Sequence, residues 1–234
     1  MSLAIILPAA GKSARFGAGS NKLVQLLGHQ PVIAHTLAAF LARADVSQVV
    51  IAANDDSDVA REIHPAWLRL RADHRVTRVP GGLSRAQSVL NALRSLPESV
   101  EWVAVHDAAR PLISQTLIDA TLAAARSHGA AVPAMPVALT IKRAAGPLPA
   151  KSMGTVPRHE LFAMQTPQVA RRRDLLDAYS RCPIPLEQVT DDMQLIELVG
   201  GDVWLVPGDE KNLKITTPMD LMLAELLRRR AEIS

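Results

Sequence analysis

Cysteine occurs once in this 234-residue chain, at Cys182. No disulfide can form within it, and a reducing compartment is the simple expectation. Aromatic residues make up only 3% of the sequence. None is interleaved with the two densest basic runs, Arg171-Arg172-Arg173 and Arg228-Arg229-Arg230, so these read as solvated helix faces and not as a nucleic-acid surface. No apolar run approaches membrane-spanning length and no basic-then-apolar leader opens the chain, which points to a soluble cytoplasmic protein without a membrane partner. Strong charge imbalance is missing too. The net charge of +3 and pI of about 9.3 suit an anionic small-molecule substrate better than a polynucleotide. What the chain does have is apolar residues, 48% of the total, enough for a sizeable core in one α/β domain over 1–234.

Short apolar runs alternate with helical patterns. Strands are expected at Leu3–Leu7, Gln48–Ala53, Val76–Val79, Trp102–His106, Ala130–Ala134 and Asp202–Val206. Helices are expected at Pro31–Leu41, Asp58–His64, Arg85–Leu96, Gln115–Ser127, Leu175–Tyr179, Asp191–Val199 and Pro218–Arg230. This alternation predicts a Rossmann-like three-layer α/β domain with a mostly parallel sheet covered on both faces. Ligands of such sheets bind outside the carboxyl ends of the strands. The loops after Leu7, Val79 and His106 should therefore lie close together. One stretch departs from the rhythm. Residues 136–157 read as two extended arms around the Gly146-Pro147-Leu148-Pro149 turn. A protruding hairpin of that length is marginal in water unless something covers it, and a second subunit is the expected cover, making a homodimer through the arm.

Three segments carry chemistry. Leu7-Pro8-Ala9-Ala10-Gly11-Lys12-Ser13-Ala14-Arg15-Phe16-Gly17, closed by Lys22, is a loop of small residues with cations beyond it. Small side chains let a ligand approach backbone N–H groups, and Arg15 and Lys22 would face a polyphosphate. The segment is not a P-loop, because Ile6 stands where that motif needs glycine, and its glycines do not fit the dinucleotide fingerprint. A plain strand-to-loop turn is the alternative. His106-Asp107-Ala108-Ala109-Arg110-Pro111 places a carboxylate at a strand end, where Mg²⁺ could be held with phosphate oxygens. Asp107 would serve equally as a turn partner of Arg110, and His106 reads as a packed histidine. In Pro80-Gly81-Gly82-Leu83-Ser84-Arg85-Ala86-Gln87-Ser88, the glycines would let a base edge meet the backbone, with Ser88 adding a side-chain group. Ser84 would be the helix cap in the alternative.

Taken together, these segments resemble the 2-C-methyl-D-erythritol 4-phosphate cytidylyltransferase family of the non-mevalonate isoprenoid pathway. The resemblance extends in order through Thr140 with Lys142, Thr155-Val156 with Arg158, Gln165-Thr166-Pro167-Gln168, Thr190-Asp191-Asp192 and Asn212-Leu213-Lys214-Ile215-Thr216. It implies a Mg²⁺-dependent enzyme that joins CTP to a polyol phosphate and releases pyrophosphate, by in-line attack of the substrate's phosphate on the α-phosphorus. It implies that Arg15 and Lys22 neutralise charge on the triphosphate, Asp107 holds Mg²⁺ and Lys214 steadies the attacking phosphate. Arg158 and Thr140 would contact the acceptor, from the partner subunit. Pro8, Ala9, Ala10, Gly11, Gly81, Gly82 and Ser88 would receive the nucleotide. Arg85 and Arg110 would act as pocket cations, with Thr166 also at the substrate.

Some positions depart from the family pattern. Leu139 stands where Asp is usual, Asn21 where Pro is, Asp192 where Glu is, and Lys211 where an acid is common. Leu139 lies near the expected acceptor, which keeps ribitol 5-phosphate cytidylyltransferase open as an alternative. A CTP-binding regulatory protein without turnover is the other.

Overall fold

The computed structural model describes residues 2–11, 16, 21–54, 59 and 65–233; for 65–67 and 231–233 it describes the backbone alone. β1 (Leu3–Pro8) is apolar throughout, and a strand turns successive side chains to opposite faces. Leu3, Ile5 and Leu7 accordingly join one buried cluster, and Ala4 and Ile6 join another. The small β2 (Leu26–Leu27) and β3 (Gln30–Pro31) pair around Gly28, whose φ of 62° suits glycine. β4 (Val46–Ala52) repeats the division of β1, with Val49 and Ile51 on one side and Val50 and Ala52 on the other. A sheet apolar on both faces must be covered on both.

Helices supply that cover. The first face takes α1 (Val32–Leu41), α2 (Pro65–Arg71), α4 (Gln115–His128) and α7 (Pro218–Ile233), through residues such as Leu37, Phe40, Ile118 and Ala224. The second takes α3 (Arg85–Ser95), α5 (Arg172–Ser180) and α6 (Asp192–Leu198), through Val89, Leu93, Leu175 and Leu195. Ser84, Ser114 and Asp191 cap α3, α4 and α6 with their side chains, each bond worth about 1 kcal/mol.

Among the described residues the main sheet has eight strands. From one edge it runs β5 (Val76–Val79), β4, β1, β6 (Trp102–Val105), β11 (Gln168–Arg171) and β7 (Ala130–Pro136), with β12 (Trp204–Pro207) beyond β7. β10 (Phe162–Met164) pairs with the far end of β7. The β1–β4, β1–β6, β4–β5 and β7–β12 pairs are parallel. β11 runs antiparallel to both β6 and β7, which leaves those two strands pointing the same way. The carboxyl ends of β1, β4, β5, β6, β7 and β12 therefore share one edge.

The expected α/β alternation is present, with differences that have physical reasons. The expected helix over Asp58–His64 lies outside the described residues apart from Val59; α2 begins just after it. β10 and β11 were not expected. They flank Gln165-Thr166-Pro167-Gln168, whose proline reads as a break, and β11 ends in Arg171, where the charge run suggests a helix already begun. Within 136–157, β8 (Ile141–Ala144) and β9 (Ser152–Val156) form a separate antiparallel ribbon. Its residues are mostly exposed, and Leu139, Leu148 and Met153 around it are 77%, 84% and 60% exposed.

Candidate active site

Three loops meet at the shared carboxyl-end edge, those leaving β1, β5 and β6. Together with Lys22, Asn54 and Lys214 they line a cavity of about 700 Å³. The loop after β1 contributes Pro8, Ala9, Ala10 and Gly11, and the loop after β5 contributes Gly82, Leu83, Ser84 and Arg85. The two touch closely. A Cβ on Gly81 would stand 2.3 Å from the Ala10 Cβ, so only glycine fits beside that alanine. The Gly82 N–H donates to Ser88 Oγ at 2.9 Å, and Ser88 Oγ donates to the Ser84 carbonyl at 2.9 Å. The serine's one proton thus serves the turn, and only lone-pair capacity is left for a ligand.

Asp107 follows β6 and is nine-tenths buried. Its Oδ2 accepts from Lys214 Nζ at 3.0 Å and from Arg110 Nε at 3.2 Å, while Arg85 Nε stands 3.9 Å from Oδ1. Burial alone would raise the pKa of this carboxyl. The charges of Lys214, Arg85 and Arg110 outweigh it and hold the group well below the usual carboxylate range. The cavity lining carries three cations, Lys22, Arg85 and Lys214, against this one carboxylate. Such a surplus favours a polyanion.

The backbone behind Asp107 is braced from distant parts of the chain. Thr166 Oγ1 accepts from the Asp107 N–H at 3.1 Å and pairs with His106 Nδ1 at 3.0 Å. His106 Nε2 meets the Arg110 carbonyl at 3.2 Å. That carbonyl can only accept, so Nε2 carries the proton and Nδ1 accepts from the threonine. The imidazole is fully buried, and burial lowers its pKa to about 4. Thr36 Oγ1 donates to the Ala108 carbonyl, and the Ile215 N–H donates to the Ala109 carbonyl. Arg110 Nη1 donates to the Asn212 carbonyl at 2.6 Å, and Asn212 Nδ2 donates to the Thr166 carbonyl at 2.8 Å. The segments that look unrelated in the sequence are thus struts around one loop.

Most expected nucleotide residues come together here: Pro8, Ala9, Ala10, Gly11, Lys22, Gly82, Arg85, Ser88, Asp107 and Lys214 all line the cavity. Arg15 lies outside the described residues. Arg110 and Thr166, expected at the substrate, are instead built into the wall; both are more than nine-tenths buried and bonded to the Asp107 loop. Thr140 and Arg158 lie beside the ribbon, exposed, and do not line the cavity; Arg158 Nη1 donates to the Ala138 carbonyl. Asn54 and Thr216 are polar cavity residues for which no part was expected. Asn54 closes an apolar strand at the carboxyl edge, a position that could have marked it.

Could this corner hold a divalent cation? Among the described residues there is no group of three His, Cys, Asp or Glu suited to a metal. A protein cage is therefore not what the donors offer. Mg²⁺, however, takes one or two carboxylates and fills its shell with water and phosphate oxygens. Asp107 Oδ1 makes no hydrogen bond among the described residues, so a single carboxylate oxygen fits a cation arriving with a polyphosphate.

Comparisons with known proteins point to one family. A family model described as 2-C-methyl-D-erythritol 4-phosphate cytidylyltransferase matches residues 3–230. A Streptomyces avermitilis protein of that name is 40% identical over 236 residues, covering 97% of this chain and 92% of its own. The bifunctional enzyme IspD/IspF of Desulfotalea psychrophila is 38% identical over 98% of this chain, which spans only 58% of that longer protein. The crystal structure of 2-C-methyl-D-erythritol 4-phosphate cytidylyltransferase from Thermus thermophilus superposes with a TM-score of 0.77 at 32% identity, covering 98% of this chain and all of its own.

Proposed function

The chain belongs to the 2-C-methyl-D-erythritol 4-phosphate cytidylyltransferase family, and we infer that it transfers a cytidylyl group from CTP to methylerythritol phosphate in isoprenoid precursor synthesis. The products are the cytidine diphosphate alcohol and pyrophosphate. One observation carries the reading: Lys22, Asp107 and Lys214, far apart in sequence, converge on the cavity opened by the loops after β1 and β5.

The chemistry asks for positioning and charge, not for covalent help. A phosphate oxygen of the acceptor attacks the α-phosphorus in line, and the bond to the pyrophosphate oxygen breaks. A phosphate monoester has its second pKa near 6, so the nucleophile is already ionised at neutral pH. His106 is no candidate base: it is wholly buried, both ring nitrogens are engaged, and it stays neutral down to about pH 4. Lys22 is placed to neutralise charge growing on the leaving group, and Arg15 would join it. Lys214, paired with Asp107, steadies the attacking phosphate when substrate enters. Mg²⁺, held through Asp107, would supply Lewis-acid charge to the triphosphate.

Thr140 and Arg158 fit an acceptor site completed by a second subunit, with the ribbon reaching across in a homodimer. The free thiol of Cys182 suits a reducing, cytoplasmic setting.

The test is pyrophosphate release from CTP with Mg²⁺, offered methylerythritol phosphate or ribitol 5-phosphate. Turnover should occur with the first. Turnover with ribitol 5-phosphate alone would reassign the acceptor, and CTP binding without turnover would make the chain a regulatory protein.

A further inference from the structure

Arg85 is the cavity cation whose hold is least expected. It sits at the first position of α3, where the helix N-terminus disfavours positive charge. A second carboxylate offsets this from behind. Arg85 Nη1 donates to Asp192 Oδ2 at 2.6 Å, and the other oxygen, Oδ1, accepts from the Tyr179 hydroxyl at 2.9 Å. Asp192 is entirely buried and opens α6, where a negative charge is favoured. Its own N–H donates to Gln168 Oε1 at 2.9 Å, which ties α6 to β11. Burial and the Asp192 charge push the Tyr179 phenol up, so it remains a donor across the working pH range.

The result is a chain of contacts from the second helical layer to the cavity: Tyr179 to Asp192 to Arg85 to Asp107. Each member has a defined share. Asp192 takes one of the five N–H groups of Arg85, and the others remain for Asp107 and an incoming anion. Without Asp192 the guanidinium would have, among the described residues, one carboxylate within reach, Asp107, and would swing toward it. There it would crowd the oxygen that a cation needs and vacate the phosphate position.

We propose that Asp192, seconded by Tyr179, is a positioning residue of the reaction: it holds the Arg85 guanidinium beside the triphosphate and keeps it from closing onto Asp107, which stands 3.9 Å away. Asp192 itself touches no substrate. The proposal deepens the cytidylyltransferase reading and rests on it.

Because Asp192 acts through Arg85, the two should not contribute independently. The experiment is a double-mutant cycle on kcat/KM for CTP in the full-length protein, with CTP affinity measured separately by calorimetry. Removing the charge-stabilising Arg85 in Arg85→Gln should lower kcat/KM by about 10²-fold. Asp192→Asn should lower it by about 10-fold to 30-fold, with KM for the acceptor little changed. The double variant should match Arg85→Gln alone. Asp192→Glu, which keeps the charge, should recover most of the loss. Losing the buried partner of Arg85 costs stability in Asp192→Asn, so Tyr179→Phe provides a milder arm: a few-fold fall in kcat/KM, abolished in the Arg85→Gln background. Effects that multiply, or a silent Asp192→Asn, would overturn the proposal. A wild-type protein without turnover would instead sink the functional reading; calorimetry would still show whether Asp192 and Arg85 are coupled in CTP binding.

Discussion

The corner around Asp107 and the ribbon of β8 and β9, both assigned parts in the proposed reaction, are built differently. At the corner, side chains from four separate stretches of sequence, at Thr36, Arg85, Thr166 and Lys214, hold one loop, and the Asp107 carboxylate is nine-tenths buried among three cations. In the ribbon the two strands hydrogen-bond only to each other, and Leu148 and Met153 face solvent. The contrast separates two tasks. Holding a triphosphate needs fixed charges, and a single chain can fix them by burial. On the proposed reading, receiving the second substrate would fall to Thr140 and Arg158, which do not line the cavity and would need another surface to complete the site.

The largest effect should come from breaking the corner at its most accessible charge. Lys214→Ala is expected to lower kcat by about 10²–10³-fold. Its side chain is 38% exposed, and Arg85 and Arg110 still face Asp107. The thermal midpoint should hardly move, since part-exposed ion pairs contribute little to stability. A large loss of both would mean that Lys214 is a structural strut.

Burial at the corner also predicts a pH signature that the ribbon cannot give. His106 has its folded pKa lowered from 6.5 to about 4. The unfolded chain therefore takes up a proton first as pH falls, and the stability due to neutral His106 is complete above 6.5 and lost between there and 4. The amount is at most about 3 kcal/mol. Chemical denaturation at pH 7.5 and 4.5, compared between wild type and His106→Asn, checks it. An equal fall in both proteins would assign the loss to other groups.

The ribbon's test gives the smallest numerical change. Arg158→Ala and Lys22→Ala homodimers should both be poorly active. If Arg158 acts across the interface, unfolding and refolding the two together should restore about a quarter of wild-type turnover, because half the dimers are hybrids with one intact site. Activity no higher than the mean of the parents would place Arg158 in its own subunit's site.

How much of this could be read in the sequence varied with the range of the interaction. Lys22, Asp107 and Lys214 stand in short patterns whose chemistry is local: a strand end, a small-residue loop, a cation. The sheet rule then brought their loops together. Arg110 and Thr166 stand in equally suggestive patterns, yet they face into the protein. Whether a cation beside a carboxylate turns toward ligand or toward backbone depends on partners such as Asn212, 102 residues away. Asp192 was noted only as a departure from the family's usual Glu. Its part depends on Arg85, 107 residues away, and Tyr179, neither implied by helix periodicity. β10 and β11 were hidden for another reason: a proline and an arginine run mask pairing that only β7 and β6 make favourable.

The contact between Ala10 and Gly81 has a consequence for how this site can vary. Between those two Cα atoms there is space for one methyl group and no more. The two positions are therefore coupled sterically. A larger residue at either end acts as a wedge and parts the walls of the slot where a flat pyrimidine would enter. Exchanging which of the pair bears the methyl relieves that clash but leaves the new methyl 3.0 Å from Asn54 Oδ1, on the wall of the same slot.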